Sequence, residues 1–200
     1  MMNGIDGFVD KAILVDNVRV SAQSNGNVMC STTPNAEGEF FLSRLAPGNY
    51  DVVITANGRA TAVITGVPVA DTTSITNVST SSARFTPPIS TTKNVSGTIT
   101  LNPTSTTVVA YVAAKQTFGS GPTVTVATKA VDPSSGGYVL TLPVAAPLLG
   151  QYGTLPIALT AQAAVAGKYT IEASAEGYTT QQASKDISAA DATQNFTLVP

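Results

Sequence analysis

The chain has 200 residues, of which 43% are hydrophobic, 11% charged and 6% aromatic, a length that fits two small domains of about 100 residues each. That charged share is under half of the roughly 25% usual in soluble domains, the reverse of the balance that leaves a chain disordered. Ten Lys+Arg against twelve Asp+Glu give a net charge of −2 with no basic block to track a phosphate backbone, which argues against a nucleic-acid partner, and His 0 removes His-based triads, His general bases and nearly every common catalytic zinc site.

In chain order, Met1-Met2-Asn3 runs directly into a strand-like segment, without the basic and then apolar regions of a visible signal peptide. Alternation with period 2 follows at Val18/Val20/Ala22, Phe40/Leu42 and Tyr50/Val52/Ile54/Ala56, and returns at Tyr169/Ile171/Ala173/Ala175. Each set predicts a half-buried antiparallel strand. Between the first two, Val28 and Cys30 are expected to share a strand face, making Cys30 a buried, inert thiol. A lone cysteine builds neither an internal disulfide nor a metal cluster. Ser81 to Thr92, with Pro87-Pro88 in a Ser/Thr-rich flank, reads as an extended, poorly hydrogen-bonded spacer, placing a domain boundary near residue 88. Pro143 to Val165 carries no charge and includes Leu148, Leu149, Tyr152, Leu155, Pro156, Ile157 and Leu159. Such an excursion is expected either to close as a lid over its own core or to present a patch to another molecule. A short helical turn is expected within Ala158 to Ala166. No apolar run approaches the roughly 20 residues that cross a bilayer. Both ends read as strands, which pair within their own domain or with a neighbouring subunit, and few lysines blunt the edges. Frequent Thr and Val, with Gly 16 and Pro 12 as punctuation, point to an all-β sandwich.

The chain repeats itself. Gly38-Glu39-Phe40-Phe41-Leu42 returns as Gly136-Gly137-Tyr138-Val139-Leu140, Gly48-Asn49-Tyr50-Asp51-Val52 as Gly167-Lys168-Tyr169-Thr170-Ile171, and Ala56-Asn57-Gly58-Arg59 as Ala175-Glu176-Gly177-Tyr178. The starts agree too, Ile5-Asp6-Gly7-Phe8-Val9 with Val95-Ser96-Gly97-Thr98-Ile99. Two copies of one fold are expected, residues 1–88 and 89–200, the second interrupted by an apolar insertion at about 143–165. The repeated glycines read as turn residues, since none leads into a helix N-terminus that would cradle phosphate.

The string from Gly38 to Gly58, with Gly38, Phe40, Leu42, Leu45, Pro47-Gly48, Tyr50, Val52, Ala56 and Gly58 in register, resembles the core of the carboxypeptidase regulatory-like domains, which group with the prealbumin-like and Cna B-type modules. The match is close in the first half and loose in the second, where the Leu-x-Pro-Gly element is split by the insertion. The resemblance implies two tandem seven-stranded immunoglobulin/prealbumin-like β-sandwiches. It also implies a bacterial or archaeal surface, periplasmic or secreted setting as spacer, adhesive unit or filament subunit, and it brings no catalytic residues.

Few constellations carry chemistry. Asp6, Asp10 and Asp16 with Glu37 and Glu39 offer hard oxygen ligands for Ca²⁺ if the turn folds toward them, without EF-hand spacing, or are ordinary turn carboxylates. A glycosidase pair drawn from them lacks a tryptophan or aromatic platform. The family resemblance also suggests a Lys–Asn isopeptide bond, for which Lys93, Asn195 and Glu172 have the right chain order. Strand parity turns Glu172 and Asn195 toward solvent, however, and that reaction needs a buried lysine. The reading is therefore a non-catalytic structural module, extracellular, cell-surface or periplasmic, with protein partners and self-association into a polymer. The alternative is a carbohydrate- or protein-binding accessory module using Tyr152, Tyr178 or Phe118. No catalytic, cofactor-binding or metal residue is assigned.

Overall fold

The computed structural model describes residues 3–71, 73–131 and 135–200. Its strands are β1 (Gly4–Phe8), β2 (Arg19–Ser24), β3 (Asn27–Thr32), β4 (Glu39–Ser43), β5 (Gly48–Thr55), β6 (Ala62–Val69) and β7 (Ile75–Asn77), followed by β8 (Thr92–Leu101), β9 (Ala110–Thr117), β10 (Thr123–Val131) and β11 (Gly137–Pro143). The remainder are β12 (Leu148–Gln151), β13 (Thr160–Ala161), β14 (Lys168–Ala175), β15 (Gln181–Asp186), β16 (Ala192–Thr193) and β17 (Phe196–Leu198). Helix is confined to 3-10 turns at Lys11–Asp16 and Ala163–Val165, the second inside the stretch where a helical turn was expected.

The chain is all-β and its sheets face one another as immunoglobulin/prealbumin-like sandwiches. The N-terminal sandwich sets β4-β1-β7 against a sheet running β3-β2-β5-β6. The C-terminal one sets β11-β8-β16, with β17 also on β8, against β10-β9-β14-β15. Strand for strand the order and sense agree: β1 is antiparallel to β4 and parallel to β7, and β8 is antiparallel to β11 and parallel to β16 and β17.

Alternation explains the cores. Ile5, Val20, Phe40, Leu42, Val52 and Ile54 meet in the first, and Val95, Val112, Leu140, Leu142, Ile171 and Leu198 in the second. Small details recur with the motif. The Val9 amide donates to the Gly38 carbonyl at 2.8 Å and the Ile99 amide to that of Gly136 at 2.8 Å. Both glycines lie at positive φ, +79° and +64°, where any other L residue is strained. Phe85 bridges Val9 in parallel sense and Phe196 pairs with Ile99, so one buried phenylalanine closes each sandwich at the same place.

Three expectations are corrected. First, Val28 pairs with Gln23 and Cys30 with Ala22, so Met29 is the extra residue of a β-bulge. The extra residue reverses parity: Cys30, half-buried, packs against the first core with Ala22, while Val28 turns to the opposite face and is exposed. Second, Ser81 to Thr92 is not a poorly bonded spacer. Arg59 Nη1 donates to Pro87 O at 2.9 Å, Ala60 N to Pro88 O at 2.9 Å and Ser90 N to Gly58 O at 2.8 Å, and Ser90 Oγ accepts from Val144 N and Ala145 N.

Third, the insertion is neither a lid on its own core nor a free patch. It crosses to the N-terminal sandwich, where β12 pairs in parallel with β6 from Leu148↔Ala62 to Gln151↔Thr65 and β13 extends that sheet to six strands. Leu148, Tyr152, Ile157 and Leu159 pack against the first core. Where the detour leaves and rejoins the second sandwich, Tyr169 Oη donates to Pro143 O at 2.6 Å, as Tyr50 Oη donates to Ala46 O at 2.7 Å in the first sandwich.

Candidate functional site

The seam between the two sandwiches gathers most of the unusual side chains. β10 is an outer strand, so its peptide groups on the free side have no sheet partner. Gln23 meets this need. Its wholly buried carboxamide accepts from Thr125 N at 2.7 Å and donates to Thr125 O at 2.7 Å, as a neighbouring strand would. Ser21 Oγ holds the same amide nitrogen at 3.0 Å, and Thr125 Oγ1 donates to Gly26 O at 2.6 Å. Beside this polar staple Phe118 and Val124 bury themselves on Val53 and Val63, with Leu149 and Val165 at the margin.

A groove of about 480 Å³ opens along the seam, lined by Asn17, Asn57, Arg59, Thr61, Thr92 and Thr141 among others. A hollow of about 250 Å³ shares Asn17, Thr55, Asn57, Val126 and Ala127 with it and adds Arg19 and Thr128. Arg59 is committed: its Nε lies 2.5 Å from Asp16 Oδ2. Thr61 Oγ1 is buried without a hydrogen-bond partner. The walls set amide, hydroxyl and guanidinium groups among the apolar side chains of Ala56, Val126, Ala127, Leu142 and Pro143; the polar groups recognise a ligand by hydrogen bonding, and none of them is paired with a base that would make it a nucleophile.

The five candidate carboxylates do not converge. Asp10 accepts from Ala12 N as the cap of the first 3-10 turn, Asp16 pairs with Arg59, Glu37 with Lys11, and Glu39 accepts from Asn35. Asp6 faces the Asn77 carboxamide, which donates to its carboxylate oxygens, and its carboxyl is held above the usual aspartate range by burial first and the Glu39 charge second. Glu37, bonded to Lys11, lies below the ordinary range. Among the described residues no three His, Cys, Asp or Glu side chains group as a metal site.

The isopeptide candidates are likewise apart. Glu172 lies 2.8 Å from Lys115 and accepts from Gln182 at 2.6 Å within the β9-β14-β15 sheet, whereas Asn195 Oδ1 accepts from Thr98 N at 2.9 Å beside β8, the strand that carries Lys93. The three proposed aromatic contacts are structural. Phe118 is buried in the seam, Tyr152 packs on the first core, and Tyr178, set against the second core, donates through Oη to Pro103 O at 2.6 Å. Burial pushes Tyr138 up to about 12 and Tyr169 further still. Sequence reasoning missed Gln23. Alternation marks it as facing away from the first core, and it does so, but nothing in the pattern names its partner 102 positions away.

No helix among the described residues is long and apolar enough to cross a membrane. No curated protein matches the chain. Among solved structures it is similar to the Bacillus anthracis TIE protein, with 13% identity and a TM-score of 0.30 over 100% of this chain and 33% of that one. It is also similar to a streptococcal ancillary pilin (11%, 0.29, over 100% and 63%) and to a C-terminal fragment of the pilus adhesin SpaC from Lactobacillus rhamnosus GG (10%, 0.28, over 100% and 98%). The chain thus spans 33% of the first of these and 63% of the second. The model of the carboxypeptidase regulatory-like domain matches residues 6–81, from within β1 to just beyond β7, so the N-terminal sandwich is where the chain resembles that family.

Proposed function

We propose that the chain is a non-catalytic structural module of a cell-surface or secreted assembly, made of two units of one fold, residues 1–88 and 89–200, that act together as spacer, adhesive unit or filament subunit. The observation that carries this reading is the use of the polar side chains. Gln23, Asp16, Arg59, Asn195, Tyr50 and Tyr169 each satisfy backbone groups or partner charges that hold strands, turns or the seam together. Its partners on this reading are proteins, including further copies of itself, and its location is outside the cytoplasm.

The seam groove favours the second reading, a carbohydrate- or protein-binding accessory module, because its free Asn17 and Asn57 edges are the groups that bind a neutral polar ligand. Electron microscopy of the purified chain at high concentration, run beside a polysaccharide array, separates the two. Ordered polymers support the structural module, and saturable glycan binding lost on Asn57→Ala replaces it with the accessory module.

A further inference from the structure

We propose that this chain is built to bear tension along its length, through a pair of parallel-strand clamps placed in series. The inference rests on the structural-module reading and adds to it a load path. In each sandwich the first and last strands are neighbours and run parallel. Pulling the two ends of such a pair in opposite directions drags one strand past the other along their common axis. All the bonds between them are then strained at once, whereas a hairpin pulled at its open end yields one pair at a time. Forced unfolding follows the height of the unfolding barrier, so the first geometry resists more.

Besides the parallel ladders themselves, bonds at their margins and at the separate Phe85 bridge tie the first strand to the chain around and beyond the last. In the N-terminal sandwich Gly4 N donates to Ser74 O at 3.1 Å, Val78 N to Asp6 O at 2.9 Å, and Phe85 N to Phe8 O at 3.0 Å. In the C-terminal sandwich Gln194 N donates to Ser96 O at 2.8 Å and Asn102 N to Leu198 O at 2.9 Å. Where the last strand swings around a glycine, Gly7 or Gly97, a side chain replaces the missing carbonyl. Phe8 N donates to Ser79 Oγ at 2.6 Å, and Thr98 N, its counterpart, donates to Asn195 Oδ1 at 2.9 Å. Different residues fill the same gap in both copies. Asp191 adds a third such bond, accepting from Asn94 N at 2.9 Å.

Single-molecule force spectroscopy on the whole chain tests this, in a Cys30→Ser background. One version is held at its two ends. The other is held at Lys168→Cys and Asp186→Cys, directly paired residues at the open end of the β14-β15 hairpin. The expected result is a rupture force several-fold higher for the ends than for the hairpin. Asn195→Ala and Ser79→Ala are expected to lower the first force and leave the second unchanged. Equal forces in the two wild-type geometries overturn the clamp and leave the structural-module reading standing, while saturable glycan binding lost on Asn57→Ala overturns that reading and with it the load-bearing role, whatever the forces.

Discussion

Gly97 shows how one missing methyl group sets a strand crossing. A Cβ built there overlaps the Gln194 carbonyl oxygen, while one at Gly153 has open space around it. Gly97→Ala is expected to displace β16 and β17 at a cost of about 3 kcal/mol, and Gly153→Ala to be near neutral, as read by urea unfolding. Gln23→Ala leaves the Thr125 amide and carbonyl buried without partners and is expected to cost about 2 kcal/mol in the same measurement. Asp6 has a folded-state pKa raised above its unfolded value, so the folded state holds its proton longer. Its contribution therefore favours folding at low pH and is lost as pH rises from the ordinary aspartate value through the raised folded one. Asp6→Asn is expected to raise the midpoint of denaturant unfolding at pH 7 and to make no difference at pH 2. At this scale the sequence reveals Gly7 and Gly97 as a matched pair, but not why they match. Ser79 and Asn195 perform one task with different chemistry, which residue-type similarity does not register.

Strands were legible where one face buries large apolar side chains, as at Val18/Val20/Ala22, Phe40/Leu42 and Tyr169/Ile171/Ala173, and not at β9, whose buried face is Ala110, Val112, Ala114 and Gln116. β5 is the partial exception. Tyr50, Val52 and Ile54 mark its core face, yet Val53 on the other face is also buried, under Phe118. The same second interface hides the fate of the insertion. A long uncharged apolar segment announces that it is to be covered, but composition is silent on which core covers it, and the answer lies in the unpaired edge of β6. Met29 illustrates another limit, since a bulge reverses parity without altering hydrophobic content. Replacing residues 144–165 by a short Gly/Ser turn is expected to preserve the second sandwich, whose Tyr169 tether to Pro143 remains, and to weaken the first. The β6 edge and the surface under Leu148, Tyr152, Ile157 and Leu159 are then exposed, with binding of an apolar dye and a concentration-dependent shift on size exclusion as the readout.

For the molecule as a whole, the seam ties two separate cores together through a third buried cluster. Three kinds of bond meet there: strand pairing of β12 with β6, the Gln23 staple, and the Phe118 cluster. The expected result is one calorimetric transition whose van't Hoff and measured enthalpies agree. In Gln23→Ala/Phe118→Ala, where the truncated ring alone removes about 3 kcal/mol, the trace should split in two.

The bend between β12 and β13 invites a practical use. The chain there leaves one sheet edge and returns to it, and its tip at Gly153-Thr154 is exposed, with both feet anchored by Tyr152 N to Thr65 O at 2.9 Å and Gln162 N to Pro147 O at 2.8 Å. Foreign peptide spliced at that tip would be displayed from a fixed base without disturbing either interior, which turns the molecule into a carrier for epitopes.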